Sequence, residues 1–165
     1  MGYNKSISQK GRVASGLTRE KKSEQQRVVE KAIHDRQPTF CGGAYHVYIM
    51  EVIRRNTGDG WYGVGLHGTP RQVQMYGSKV NANVLADAIK QRIDYHGEPV
   101  WLFSCSTGCA DAQGRCFAQS LADQLGVAVE APDNPIWAYS DGSYTIGKQS
   151  EDNTGHMITY YPKKR

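Results

Sequence analysis

The stretch Trp61-Tyr62-Gly63-Val64-Gly65-Leu66-His67-Gly68 and its counterpart Pro99-Val100-Trp101-Leu102-Phe103-Ser104-Cys105 decide how this chain is read. Each is a short run of apolar, β-branched and aromatic residues that gives way to small, turn-forming ones, the pattern of a strand reaching its end. Val100 to Phe103 is apolar on both faces, which predicts a central strand covered by helices. Between the two runs, Val84, Leu85, Ala88, Ile89 and Ile93 fall at helical spacing over 81–93, with Asn81 or Asn83 able to cap. Strand, helix, strand in that order predicts parallel strands joined by a crossover.

Working outward, Arg115 to Leu125 reads as a second helix that buries Phe117, Ala118, Leu121, Ala122 and Leu125. Gly126 stands where a left-handed C-cap is wanted, and Val127 to Ala131 follows as a strand. Upstream, Tyr45 to Ile53 is dense in aromatic and β-branched residues and is expected to be a strand, while Arg71 to Gly77 alternates as a small exposed strand would. After Pro135 the expected strands are Ile136–Tyr139, Ser143–Ile146 and Met157–Tyr161, separated by turns. The fold class expected is α/β: a mostly parallel central sheet flanked by helices, with a short antiparallel C-terminal β extension.

At 165 residues the chain suits one domain able to bury a core without staples. Residues 1–17 are Gly-, Ser-, Lys- and Asn-rich without periodicity and read as a disordered basic lead. Residues 18–37 read as an N-terminal helix with Val28, Val29, Ala32 and Ile33 on a narrow apolar face, and 40–165 as the catalytic domain. Residues 1–39 carry nine Lys or Arg against four acids, which leaves 11 basic and 12 acidic residues of the totals of 20 and 16. The near-neutral remainder has no basic stripe interleaved with aromatics, which argues against nucleic acid as a substrate. No apolar run is long enough for a bilayer and no signal peptide is visible, so a soluble chain without a membrane partner is expected.

The chemistry is expected at the two strand ends. A thiol is mostly protonated at neutral pH, and a nearby imidazole takes its proton or stabilises the thiolate. Ligands in α/β sheets collect outside the carboxyl ends of the strands. His67 is therefore the candidate base and Cys105 the candidate nucleophile. Gly68, lacking a Cβ, can bring its N–H close to a scissile carbonyl and complete an oxyanion hole with the N–H of Cys105. Ser104, Ser106 and Asp133 are candidate cleft or orienting residues. Cys105, Cys109 and Cys116 lack the spacing of a structural zinc site, and no metal or cofactor is expected.

A hydrophobic strand ending in His-Gly, a helix, then a hydrophobic strand ending in Cys 38 positions later resembles the caspase-like cysteine peptidases, over roughly residues 44–131. The resemblance implies a caspase-like fold, His67 as base, Cys105 as nucleophile, and the N–H groups of Gly68 and Cys105 as oxyanion hole. Pro99 to Gly108, Phe117 to Ala122, Leu125-Gly126-Val127, Ala131-Pro132 and Tyr160-Tyr161-Pro162 are similar to C-terminal toxin domains of bacterial polymorphic secreted toxins. That likeness implies an effector, secreted or injected, that acts on protein substrates in the target-cell cytoplasm, with a cognate immunity protein as a further partner. Cys105 is flanked by serines instead of the Gln-Ala and Arg-Gly around the caspase nucleophile, so aspartate specificity is not carried over.

Three alternatives stay open. The same thiol can serve a deamidase or acyltransferase. A papain-like order pairs Cys41, early in the chain, with His156, late in it, although a papain-type nucleophile opens a helix and Cys41 is expected to precede a strand. A non-catalytic binding module on a caspase-like fold is the third.

Overall fold

A computed structural model describes residues 23–41 and 44–163. The basic lead at 1–17 and the start of the expected first helix lie outside the described residues. Helix α1 (Glu24–His34) begins at Ser23, whose side chain accepts from Gln26 N–H while the Gln26 side chain accepts from Ser23 N–H. Both orphan donors of the first turn are thereby satisfied. Val28 and Ala32 face the core.

The segment expected as a strand at 45–53 is instead helix α2 (Tyr45–Asn56). Its buried residues are Ile49, Val52 and Ile53, a helical spacing that strand propensity had masked. The partner is strand β1 (Tyr62–Gly65), whose Gly63 and Gly65 turn bare Cα atoms toward this helix. A Cβ on Gly65 would come within 2.5 Å of Ile49 Cγ2, so the helix packs closer than any side chain would permit.

Beyond β1 the chain makes a three-stranded antiparallel unit from β2 (His67–Gly68), β3 (Val73–Met75) and β4 (Ser78–Val80). The strand expected in this stretch is present, but Val73 and Met75 are buried instead of exposed. Helix α3 (Ala82–Gln91) is capped by Asn81, which accepts from Val84 N–H, and leads into β5 (Val100–Phe103), buried at every position. Helix α4 (Phe117–Leu125) ends at Gly126 with φ +74°, the left-handed cap its glycine predicts. Strand β6 (Val129–Pro132), the hairpin β7 (Ile136–Ala138) and β8 (Tyr144–Ile146), and β9 (Met157–Tyr160) complete the order.

The central sheet runs β9-β6-β5-β1. β1, β5 and β6 are parallel, and β9 returns antiparallel along β6. The α/β class, the mostly parallel sheet and the antiparallel C-terminal strands are as expected. Trp101 and Phe103 pack edge-on or tilted against Tyr144, so α2 and the β7–β8 hairpin share one face of the sheet. Helices α3 and α4 pack on each other, with α1 beside α3. No helix among the described residues is long and apolar enough to cross a membrane.

Candidate functional site

The site is built by register. β1 pairs β5 with Gly65 opposite Phe103, and Thr39 bridges Gly65 on the other side. Two residues further along these segments come Cys41, His67 and Cys105: Cys105 lies in the turn after β5, and His67 opens β2 of the separate antiparallel unit. The thiols of Cys41 and Cys105 lie near each other and near the Tyr45 hydroxyl of α2, whereas the His67 side chain is exposed.

The ladder between β1 and β5 stops at Leu66 N–H to Phe103 O, 3.1 Å. Past that point the chains part, and the Cys105 N–H lies against its own sulfur, where it favours the thiolate. Just past β2, Thr69 N–H bonds to Gln72 O at 2.9 Å. Alternation then makes Gly68 and Val73 a non-hydrogen-bonded pair, with the Gly68 N–H turned away from β3. Gly68 lies hard against the turn after β5: a Cβ there would stand 2.2 Å from Ser104 Oγ, 2.7 Å from Thr107 Cγ2 and 3.2 Å from Cys105 O. An N–H turned away from its sheet beside a thiol, as in Gly68, can help to hold a developing oxyanion.

The Cys105 thiol is partly buried and sits against β7. Ile136 N–H donates to Sγ at 3.4 Å, and the thiol donates to Ile136 O at 3.7 Å. Burial pushes the thiol above its ordinary value, partly offset by the Ile136 N–H. The His67 imidazole is exposed and forms no hydrogen bond to Cys105 in this resting arrangement.

Cys41 is buried, and burial pushes its thiol up to about 11, against the lowering effect of the His67 N–H. Contrary to expectation, the element that follows Cys41 is a helix, which removes one objection to the papain-like order. The geometry supplies another. Cys41 lies outside β1, whereas His156 precedes β9 at the opposite edge of the sheet, so the two do not meet.

Asp133 does not orient His67. It accepts from His156 N–H at 2.8 Å and faces His156 Nδ1 at 3.8 Å. Although burial opposes it, the His156 N–H and the Asn134 side chain hold Asp133 below the usual carboxylate range. Ser104 is 1% exposed with Oγ unpaired, pressed on Gly68, so it backs the site and does not line a cleft. Ser106 holds φ +58° and gives its N–H to Asn134 O at 3.2 Å, shaping the turn. Cys109 and Cys116 give their thiols to the carbonyls of Ala110 and Thr107, and Cys116 is the N-cap of α4.

Sequence reasoning missed Tyr45, whose hydroxyl accepts from Ala138 N–H at 2.7 Å and whose ionisation is disfavoured by burial and by the nearby Cys105. Helical spacing through Tyr45, Ile49, Val52 and Ile53 would have turned it inward.

No curated protein and no solved structure matches the chain. Residues 43–146, spanning α2 through β8, match the family described as Domain of unknown function (DUF8616); covering more than half of the sequence, this match makes the chain a member of that family.

Proposed function

We propose that the protein is a cysteine-nucleophile hydrolase of the peptidase class on a caspase-like arrangement, with Cys105 as nucleophile and His67 as base. It acts as a secreted toxin effector on proteins of a target cell, where a cognate immunity protein restrains it in the producer. The observation that supports this reading is the close approach of the turn carrying Cys105 to Gly68, the neighbour of His67: a Cβ on Gly68 would stand 3.2 Å from Cys105 O.

In the reaction the exposed imidazole turns to take the thiol proton, and sulfur attacks the scissile carbonyl carbon. The N–H groups of Gly68 and Cys105 receive the oxyanion, and the imidazolium returns the proton to the leaving amine. Water, deprotonated by His67, then hydrolyses the thioester and frees the thiol.

The test is mapping of new protein N-termini in cells that express the domain, against a Cys105→Ala control. Termini that need Cys105 support the reading; identical sets in the two samples overturn it. Deamidation or acyl transfer by the same thiol would instead leave chains intact with altered side chains. The thiol's burial and its bonds to Ile136 favour the non-catalytic module as the second reading. Labelling by a small alkylator separates the two, because a nucleophile reacts much faster than Cys109 and Cys116 whereas an inert thiol does not.

A further inference from the structure

The outer edge of β7 carries a feature that the Cys105/His67 pair leaves unused. In the hairpin, Gly147 N–H bonds to Pro135 O at 2.9 Å and Tyr139 N–H to Ser143 O at 3.0 Å. Alternation makes Trp137 and Thr145 the hydrogen-bonded pair between them, so Ile136 and Ala138 turn their N–H and C=O groups away from β8. Outward groups of this kind need partners. Ile136 finds the Cys105 thiol, and Ala138 finds the Tyr45 hydroxyl at 2.7 Å.

Thiol and phenol therefore occupy N–H groups two residues apart on one strand, a spacing of about 6.8 Å. Tyr45 is half-buried at the first position of α2, edge-on to Tyr48 with ring centroids 5.9 Å apart. The helix is itself locked onto β1 through Gly63 and Gly65. The Tyr45 hydroxyl thus ties the hairpin edge to α2.

We propose that Tyr45 is a positioning residue for Cys105, its hydroxyl fixing the outer edge of β7 so that the Ile136 N–H is aimed at the sulfur. This rests on the reading of Cys105 as nucleophile. An N–H donor favours the thiolate, whereas the Ile136 carbonyl can accept only from the protonated thiol. At 3.4 Å the N–H is the nearer of the two, against 3.7 Å for the carbonyl. A shift of β7 along its axis reverses that balance. The other groups around the sulfur are Cys41 and Tyr45, both raised by burial and therefore protonated at neutral pH, with Tyr139 beyond Tyr45. The hydrogen bonds that favour the thiolate come from the Ile136 N–H and from the Cys105 N–H itself.

The experiment is the pH profile of iodoacetamide alkylation at Cys105 in the full chain, Tyr45→Phe and Tyr48→Phe. Tyr45→Phe is expected to move the profile up by about one pH unit, hence about tenfold slower labelling at neutral pH. Tyr48→Phe, which leaves the Tyr45 hydrogen bond intact, is expected to overlay the parent. A folded Tyr45→Phe variant with the parent profile overturns the inference while leaving the nucleophile reading standing. Parent Cys105 labelled no faster than Cys109 and Cys116 overturns both. Amide exchange in the unmodified protein needs no variant: Ile136 and Ala138 are expected to be protected, and exchange at free-loop rates overturns the positioning role.

Discussion

The two faces of the central sheet are made of different materials. Val64, Val100 and Leu102, with Leu85, Ile89 and Leu121 from the helices, are buried aliphatics whose contribution is volume and apolar area. The face under α2 offers Gly63, Gly65, Trp101 and Phe103, and past the strand ends the thiols of Cys41 and Cys105 and the phenol of Tyr45. There, bare Cα atoms and directed hydrogen bonds replace interchangeable hydrophobic bulk. Stability is carried by the first face, whereas the second sets the position of reactive atoms.

That division fails if Leu121→Ala disturbs the site. The substitution is expected to cost about 2–5 kcal/mol in denaturant unfolding, the usual loss for a buried leucine, while Cys105 in the folded fraction keeps its alkylation rate. Gly68→Ala sharpens the contrast from the other side. Its Cβ has no room beside Ser104 Oγ and Thr107 Cγ2. Overpacking there is expected to cost about 1–3 kcal/mol and to change Cys105 labelling as well, because the displaced turn carries the thiol. Stability and labelling both at parent values would show that the turn yields freely.

A smaller effect comes from pH. The Cys41 thiol is raised from its ordinary 9.0 to about 11 by burial, so the folded state holds its proton where the unfolded chain has lost it. The associated stability is complete below pH 9 and is lost as pH rises toward 11. Unfolding measured across that window is expected to show a shallower decline in Cys41→Ala than in the parent, whatever the variant's absolute stability. Equal slopes would place the thiol in contact with water. Least of all is Ser106→Gly, which relieves a left-handed backbone at φ +58° and is expected to gain up to about 1 kcal/mol. A loss would mean that the serine side chain contributes more than its backbone strain costs.

The aliphatic face was the easier one to read. Val84, Leu85, Ala88 and Ile89 repeat at helical spacing, Asn81 caps and Gly126 stops, and each local choice agrees with its neighbours. The ends of β1 and β5 were legible for the same reason, since an apolar run followed by small residues marks its own boundary, but the new strand that His67 opens was not, because its partner β3 is set by tertiary pairing. Tyr45 to Ile53 was not. Its β-branched and aromatic composition favours a strand, and only the glycines of β1, distant in sequence, explain why a helix fits. Asp133 was misplaced because its partner is set by the antiparallel return of β9 past Pro132, a long-range pairing that spacing does not encode.

Arg92 has a consequence for how α1 is held. Its guanidinium is 3% exposed, donates to the carbonyls of Asp35 and Gln37 at 2.7 and 2.5 Å, and lies over the Phe40 ring at 5.0 Å. Both acceptors are main-chain carbonyls, and burial shields the contact from dissolved ions. The clamp on the helix end is therefore insensitive to ionic strength. A change of salt that alters the exposed edge at His67 would leave this end of the molecule fastened.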